Sequence, residues 1–218
     1  LFSATLYAGN GSTSARNIDT GVAADWVWIK NYGANSSDHM LYDSSRGVGK
    51  YIRSNKNVVE DTSGTSLSAF NSDGFQLSDN GTYLNASGGT YVAWNWRANG
   101  GTTSTNTQGD INSTVQVDPS GCFSIVKYTG EAATRTIGHG LSAIPNLIIV
   151  KSLDNTRNWG VYYGDNTDAL QLNNDNATDD GVYWADTSPT STVFTVGDSS
   201  ETGKSEDYIA YCFANCEG

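Results

Sequence analysis

"TYVAWNWRANG" (residues 90–100) and "DYIAYCFANCEG" (residues 207–218) follow one pattern, although they lie in opposite halves of the chain. Each reads aromatic, β-branched, alanine, aromatic, any residue and aromatic, and then turns polar. β-Branched and aromatic residues favour strands, so each stretch is predicted to be a β-strand that ends at its polar residues. Because the pattern occurs twice, it also predicts a repeated β-unit.

Further matches follow in the same order along the two halves. The offset between matched positions is 121 near the start of each half (123 − 2) and 117 at the two quoted strands (208 − 91). Ordered matches whose offset changes only by small gaps indicate a tandem duplication. The other matched pairs are "FSATLYAGNG" (2–11) with "FSIVKYTGEA" (123–132), "DWVWIKN" (25–31) with "NLIIVKS" (146–152), and "SDGFQLSDN" (72–80) with "STVFTVGDS" (191–199).

Composition and duplication together predict the fold class. The chain is rich in glycine and poor in charge (24 glycines and 16% charged residues in 218), and it lacks long runs of helix-forming residues. We predict an all-β protein of two tandem antiparallel β-sandwich (jelly-roll-like) domains at 1–97 and 122–218, joined by a linker at 98–121 with a possible short strand. Strands are expected near 2–8, 25–31, 39–43, 50–53, 73–78, 90–97, 122–128, 146–152, 159–163, 169–172, 192–197 and 207–213. The stretch "DTSGTSLSAF" (61–70) is predicted to be a short helical turn or a loop.

The charge balance bears on partners. Twelve basic and 23 acidic residues give a net charge of −11, which repels phosphate backbones and anionic lipids. The strongest apolar run, "AIPNLIIVK" (143–151), is far shorter than the roughly 20 residues that a bilayer span needs. We therefore expect neither a nucleic acid partner nor membrane insertion. Because the chain begins with Leu1, it is interpreted as a processed product or as a piece of a longer polypeptide.

The first-half tryptophans are predicted to pack in the core. Val92, Trp94 and Trp96 share one strand face, and their counterparts in the second half are Ile209, Tyr211 and Phe213. Bulk is kept between the halves whereas the indole ring is not, and a core needs only the bulk. Trp26 and Trp28, matched by Leu147 and Ile149, are interpreted in the same way.

Two other tryptophans stand among polar residues and form the predicted ligand site. Trp159 follows "DNTRN", and Trp184 lies in "GVYWADTSP". Aromatic rings in loops can stack on sugars, and loops on a rigid sandwich often carry recognition. The candidate ligand-binding residues are Trp159, Tyr183, Trp184 and Asp186, and the alternative is that the rings cover the end of the sandwich.

Catalysis finds little support in the sequence. His39 and His139 stand near no serine or cysteine arranged as a nucleophile, and neighbouring pairs such as Glu206 and Asp207 point apart along an extended chain. We therefore predict no catalytic residues. No cofactor is expected either, because "GVGK" (47–50) lacks the other residues of a phosphate-binding loop.

The sequence gives little indication of a metal site or of disulfide bonds. The acidic loops at 163–170 and 173–181 offer oxygen ligands that calcium accepts, but solvated loops are the simpler interpretation, so no metal site is predicted. Cys122, Cys212 and Cys216 are too few for a disulfide scaffold. Buried free thiols are expected.

Several longer phrases resemble a domain found in tandem copies in tail, fibre and other virion-associated proteins of marine bacteriophages. The resemblance covers nearly the whole chain outside the 98–121 segment. "EAATRTIG" (131–138) departs from it, because the family would have glycine and asparagine in that turn. The phrases are "HGLSAIPNLIIVK", "NWGVYYG", "SPTSTVFTVG" and "YIAYCFANCEG" in the second half, and "DWVWIKN", "HMLYDSSRGVGKYIRSN", "FNSDGF" and "TYVAWNWRA" in the first.

The resemblance implies a place and a role, with no residue-level chemistry. We expect a non-enzymatic protein on the virion surface, outside the cell, that contributes to structure and to attachment to host glycans. Its expected partners are other virion proteins and further copies of itself. A carbohydrate-active enzyme or a free-standing lectin with the same sandwich fold is the alternative.

Overall fold

The computed structural model describes residues 1–33, 37–62 and 66–215, and in this part of the chain the regular structure is entirely β. Every strand pairing is antiparallel, apart from one isolated parallel bridge. The strands are β1 (Phe2–Ala8), β2 (Arg16–Asp19), β3 (Trp26–Asn31), β4 (His39–Asp43), β5 (Ile52–Arg53), β6 (Leu67–Asn71), β7 (Gly74–Leu77), β8 (Thr90–Trp96), β9 (Ser104–Asn106), β10 (Ser113–Val117), β11 (Phe123–Thr129), β12 (Arg135–Gly138), β13 (Pro145–Ser152), β14 (Gly160–Tyr162), β15 (Leu170–Gln171), β16 (Val193–Val196) and β17 (Asp207–Ala214). None of the described residues forms a helix long and apolar enough to cross a membrane.

The chain divides into two compact units. The first contains Leu1–Asn55 and Glu60–Gly101, and the second contains Lys56–Val59 and the chain from Thr102 onward. The segment 98–121, predicted as a linker, therefore contributes to both units. The possible short strand predicted there is present as β10, which pairs with β9 and with β11, whereas the polar composition of the segment conceals β9.

The first unit has two sheets around one core. The larger sheet has the order β1-β8-β3-β4-β5, and the smaller has the order β2-β7-β6. Ile18 and Phe75 from the smaller sheet pack in the same buried cluster as Ile29, Met40 and Tyr91 from the larger one. Alternation of side chains along each strand supplies one apolar face per sheet for this contact.

The second unit is built in the same way. Its larger sheet has the order β9-β10-β11-β17-β13-β14-β15, and β12 pairs with β16 in a smaller sheet. Ile137 and Phe194 from the smaller sheet join Val126, Ile148 and Ala210 from the larger one in a buried cluster. The all-β prediction is confirmed.

A stacked tyrosine pair lies in the core of each unit. Tyr7 and Tyr91 have ring centroids 5.0 Å apart with 12° between the planes, and Tyr128 and Tyr208 have values of 5.3 Å and 14°. In both pairs the second tyrosine donates its hydroxyl hydrogen to a backbone carbonyl earlier in the chain, at 2.9 and 3.1 Å. This satisfies the polar tip of a buried ring and fixes which strand face points inward.

The face assignment of the first-half tryptophans was wrong. Tyr91, Ala93 and Asn95 are the buried face of β8, while Trp94 and Trp96 lie on the other face and are partly exposed. Trp28 is partly exposed as well, and only Trp26 of the four is fully buried. Bulk alone does not identify a core face, because an indole ring can also lie flat on the outer face of a sheet.

All twelve predicted strands are present, β10 is the possible short strand predicted within 98–121, and four further strands were not predicted. These are β2, β6, β9 and β12, which are short and rich in polar residues. β6 lies within the stretch 61–70, which was predicted as a helical turn or a loop, and residues 63–65 of that stretch lie outside the described residues. β6 pairs with β7 through the apolar Phe70 and Phe75, which a helical turn would not align.

The cysteines differ from one another. Cys122 is disulfide-bonded, so the expectation of a free thiol was wrong for it. Cys212 is free and fully buried, and burial raises the pKa of its thiol to about 12. Cys216 lies outside the described residues.

The turn at the start of "EAATRTIG" (131–138) contains an alanine in a left-handed conformation. Ala132 has a φ of 54° and donates its N–H to the Gly203 carbonyl at 2.8 Å, whereas the first unit has Gly11 with a φ of 66° at the matching position. A side chain in the left-handed conformation destabilises the folded state by about 1–2 kcal/mol. Glycine avoids this strain, but its greater conformational entropy in the unfolded chain lowers the free energy of unfolding by about 0.5–1 kcal/mol. We expect Ala132→Gly to raise the free energy of unfolding by about 0.5–1 kcal/mol in urea denaturation.

Ala133→Gly is the matched control for this prediction. The φ of Ala133 is not positive, so glycine relieves no strain there. This variant only increases the entropy of the unfolded chain and should lower the free energy of unfolding by about 0.5–1 kcal/mol. Equal effects of the two glycines would contradict the assigned turn conformation.

Candidate functional site

Three of the four predicted ligand-binding residues are buried. Trp159, Tyr183 and Trp184 are 0%, 4% and 2% exposed, and only Asp186 is exposed. Rings buried to this extent cannot stack on a sugar, so the predicted surface at these residues was wrong.

The contacts of these rings explain their burial. Trp159 donates its indole N–H to the Lys56 carbonyl at 3.0 Å, and Trp184 meets Tyr162 edge to face at 5.7 Å between centroids. Tyr183 accepts a hydrogen bond from Gln171 at 2.8 Å. The polar residues beside these rings lie in turns and are largely exposed while the rings themselves point inward, which is why the rings were assigned to exposed loops.

A group of neighbouring exposed and partly exposed rings lies instead on the larger sheet of the first unit. We call this surface the aromatic face. Strand register places Ala4, Trp94 and Trp28 side by side in one row, and Leu6 beside Val92 in the next. Phe2 and Leu6 are 50% and 69% exposed. The aromatic face consists of Phe2, Ala4, Leu6, Trp28, Val92, Trp94 and Trp96.

The rings of the aromatic face support one another. Trp28 and Trp94 meet edge to face at 6.0 Å, and Phe2 lies 4.9 Å from Trp96. The Trp28 indole N–H donates to Nδ1 of His39 at 3.1 Å, which fixes the ring in its plane. Burial lowers the pKa of His39, with nearby Lys30 acting in the same direction, so the imidazole is a neutral acceptor at pH 7.

This arrangement suits stacking against a flat ligand. Ala4 is exposed beside Trp94, so a small side chain leaves that ring's edge uncovered between the larger Phe2 and Leu6. Aromatic rings offer apolar contact at low entropic cost. This face was not predicted from the sequence, because the tryptophans in it were assigned to the core.

An open depression of about 930 Å³ lies at one end of the same unit, lined by small residues with Phe70, Val48 and Arg97 among them. At its base Asp25, 1% exposed, accepts hydrogen bonds from the backbone N–H groups of three residues of 98–101 and from the Ser44 hydroxyl, at 2.7–3.1 Å. These bonds occupy both carboxylate oxygens. Asp25 therefore holds the turn after β8 and is not free to act on a ligand.

Comparison with known families places the chain. The model of a family described as "Domain of unknown function (DUF7483)" matches residues 1–218. The chain belongs to this family. No curated protein matches it, and no solved structure matches it.

The buried charges of this DUF7483 chain are tied into structural clusters. Arg46 contacts Asp43 and Glu60 and donates to the Leu41 carbonyl, with its side chain 1% exposed. Such a group of paired charges fixes the connection after β4, because each charge would be costly alone.

A second cluster lies at the end of β13 in the DUF7483 chain. Glu206 accepts hydrogen bonds from Ser152 at 2.6 Å and from Arg157 at 2.7 Å. Burial alone would raise the pKa of Glu206, but the bonds from Arg157 and Ser152 outweigh it and lower that pKa. Burial lowers the pKa of Lys151 to about 8, yet Lys151 and Ser152 are adjacent in a strand and point to opposite faces, so they form no catalytic dyad.

The histidine of the second unit has a structural role. His139 accepts the Leu141 N–H at Nδ1 (3.0 Å), and its Nε2 lies 3.2 Å from the Thr190 carbonyl oxygen. Burial lowers its pKa, so it is the neutral form that bridges these groups. Within the described ranges, no three His, Cys, Asp or Glu residues are grouped so that they could hold a metal ion.

Proposed function

We propose that this chain is a non-enzymatic bacteriophage virion surface protein, a fibre, tail or capsid-decorating module that contributes to particle structure and attaches to host-surface glycans. It acts outside the cell beside other virion proteins. The observation that carries the attachment role is the aromatic face. There Phe2 is about half exposed and Leu6 more than half exposed, beside three partly exposed tryptophans. A soluble domain does not gain stability from such side chains, so they fit a binding role.

The paired architecture supports an origin by tandem duplication of one jelly-roll-like β-sandwich. β1-β8-β3-β4-β5 and β11-β17-β13-β14-β15 have the same order. Tyr7 opposes Tyr91 as Tyr128 opposes Tyr208, at the offsets found in the sequence. Repeated β-modules are suited to a surface role, because one copy can keep the fold while the other acquires contacts.

Charge narrows the proposed ligand. A net charge of −11 disfavours sulfated and other acidic polysaccharides, whereas a neutral glycan can stack its apolar C–H face on Trp94 without this penalty. The proposed ligand class is therefore neutral cell-surface glycans.

A carbohydrate-active enzyme or a free-standing lectin remains the second candidate, and the depression beside Asp25 is the observation that favours it. Retaining glycosidases place two carboxylates about 5 Å apart on either side of the bond that breaks. The hydrogen bonds that occupy Asp25 make it a poor member of such a pair.

Binding to immobilised neutral and sulfated polysaccharides tests the proposal. We expect retention on a neutral glycan without released sugar. Trp94→Ala should weaken this binding roughly two- to thirteenfold, since an aromatic contact contributes about 0.5–1.5 kcal/mol. Tyr32→Ala, which removes a 53% exposed ring from the same unit, should have no effect.

Two outcomes would contradict this assignment. Release of reducing sugar would favour a carbohydrate-active enzyme. Equal binding of Trp94→Ala and Tyr32→Ala to the glycan would show that the aromatic face does not form the binding site. Antibodies raised against the chain should also decorate intact phage particles, and failure to do so would contradict the virion location.

A further inference from the structure

β1 is an open sheet edge without the usual protection. Within the described residues it pairs with β8 alone, over seven residues, with no shift in register. Its sequence, "FSATLYA", contains no charge and no proline. Edges are normally kept short, charged or irregular, and the other strands that end a large sheet here, β5, β9 and β15, have only two or three residues.

The second unit shows what this edge accepts. β11 lies beside β17 as β1 lies beside β8, and each pair contains the stacked tyrosines. The other edge of β11 pairs antiparallel with β10, through Ser124 to Lys127. Counted from Tyr7 and Tyr128, these positions correspond to Ser3 to Leu6, beside which the described part of the chain places no such strand.

We propose that a second copy of this chain occupies the edge, with β1 of the two molecules paired antiparallel about a two-fold axis at Ala4. Identical antiparallel strands then oppose Phe2 to Leu6 and Ala4 to Ala4 on the aromatic face. On the other face Ser3 opposes Thr5. Apolar residues meet apolar residues and hydroxyls meet hydroxyls, which are the cross-strand pairs that stabilise sheets.

Charge and exposure favour a second copy over a strand of another protein. Two chains of net charge −11 repel each other, but the joint itself brings no charged side chain of β1 near another. The pairing brings Phe2 and Leu6, which are 50% and 69% exposed in one chain, beside each other across the joint and leaves the aromatic face open. It also joins two five-stranded sheets into one continuous sheet and removes both open edges at once. The inference does not depend on glycan binding.

Light scattering coupled to size-exclusion chromatography tests the proposal. The wild-type chain is expected to be a dimer. Leu6→Lys should be a monomer with an unchanged circular dichroism spectrum, because the new ammonium would lie opposite the apolar Phe2 of the other copy. Val182→Lys, which adds the same charge at a 59% exposed position in the second unit, should remain a dimer.

Oxidative cross-linking locates the axis. Opposed Cα atoms in an antiparallel pair lie about 4.5–5.5 Å apart, within the range of a disulfide, so Ala4→Cys should give a covalent dimer under mild oxidation. Ala15→Cys, at an exposed position of the same unit outside any strand, should not.

Three outcomes would overturn the proposal. They are a wild-type chain that stays monomeric up to its solubility limit, a Leu6→Lys variant that remains dimeric, and an Ala4→Cys dimer no more abundant than the Ala15→Cys dimer. Binding of a synthetic peptide of residues 111–118 to a monomeric wild type, lost in Leu6→Lys, would assign the edge to another strand and reject the second copy.

Discussion

Trp184→Ala is expected to lower the free energy of unfolding by about 3–5 kcal/mol, because it removes a fully buried ring from the core of the second unit. Trp184 is 2% exposed and meets Tyr162 edge to face. Core packing cannot collapse fully into a space of this size, so the cavity cost adds to the lost transfer free energy. Urea denaturation followed by tyrosine and tryptophan fluorescence measures the change.

Asp186→Asn is the matched control, because Asp186 is exposed and its φ of 49° is tolerated by asparagine. It should change the free energy of unfolding by less than about 0.5 kcal/mol. Glycan binding by the surviving folded Trp184→Ala protein should equal that of the wild type. A Trp184→Ala variant with wild-type stability that no longer binds glycan would contradict this prediction and place Trp184 in a ligand site.

The strand plan was predictable from the sequence because it rests on local signals. Alternating aromatic and β-branched residues mark β8 and β17, and turn residues bound them. β2 and β12 carry weaker signals, because their positions are set by partners far along the chain, β7 and β16. Such long-range pairing is invisible to a local pattern.

The inward face of each strand was predictable in principle from identity, although it was assigned from bulk. Tyr7 and Tyr91 recur as Tyr128 and Tyr208, since a stacked ring with a bonded hydroxyl accepts few substitutes. Trp94 is partly exposed, whereas its counterpart Tyr211 is fully buried in the second unit. The identical tyrosines Tyr91 and Tyr208 are buried in both units, whereas matched bulk at Trp94 and Tyr211 is buried in only one.

The candidate site was harder to predict because exposure depends on tertiary packing. Trp184 stands among polar residues and is buried, while Leu6 stands in a regular strand and is 69% exposed. β1 has no charge or proline to mark it as an edge, so the sequence predicts an ordinary strand there. Only the sheet order shows that one side of it is open.

The largest expected electrostatic effect is at Arg46. Arg46→Met keeps most of the side-chain volume but removes the guanidinium that faces the fully buried Asp43 and that also bonds Glu60 and the Leu41 carbonyl. Removing one partner of a buried ion pair costs about 3–5 kcal/mol, because the remaining carboxylate keeps its desolvation cost. Thermal and urea denaturation should both show the loss.

A double variant and an exposed pair separate this effect from general damage. Adding Asp43→Asn to Arg46→Met removes the carboxylate left without its guanidinium and should recover part of the lost free energy of unfolding. If the loss came from packing alone, the double variant would be as unstable as Arg46→Met. Arg135→Met breaks a pair with Glu131 whose side chains are 38% and 51% exposed. It should cost at most about 1 kcal/mol and lose that effect in high salt. Equal losses in Arg46→Met and Arg135→Met would mean that burial does not set the strength of these contacts.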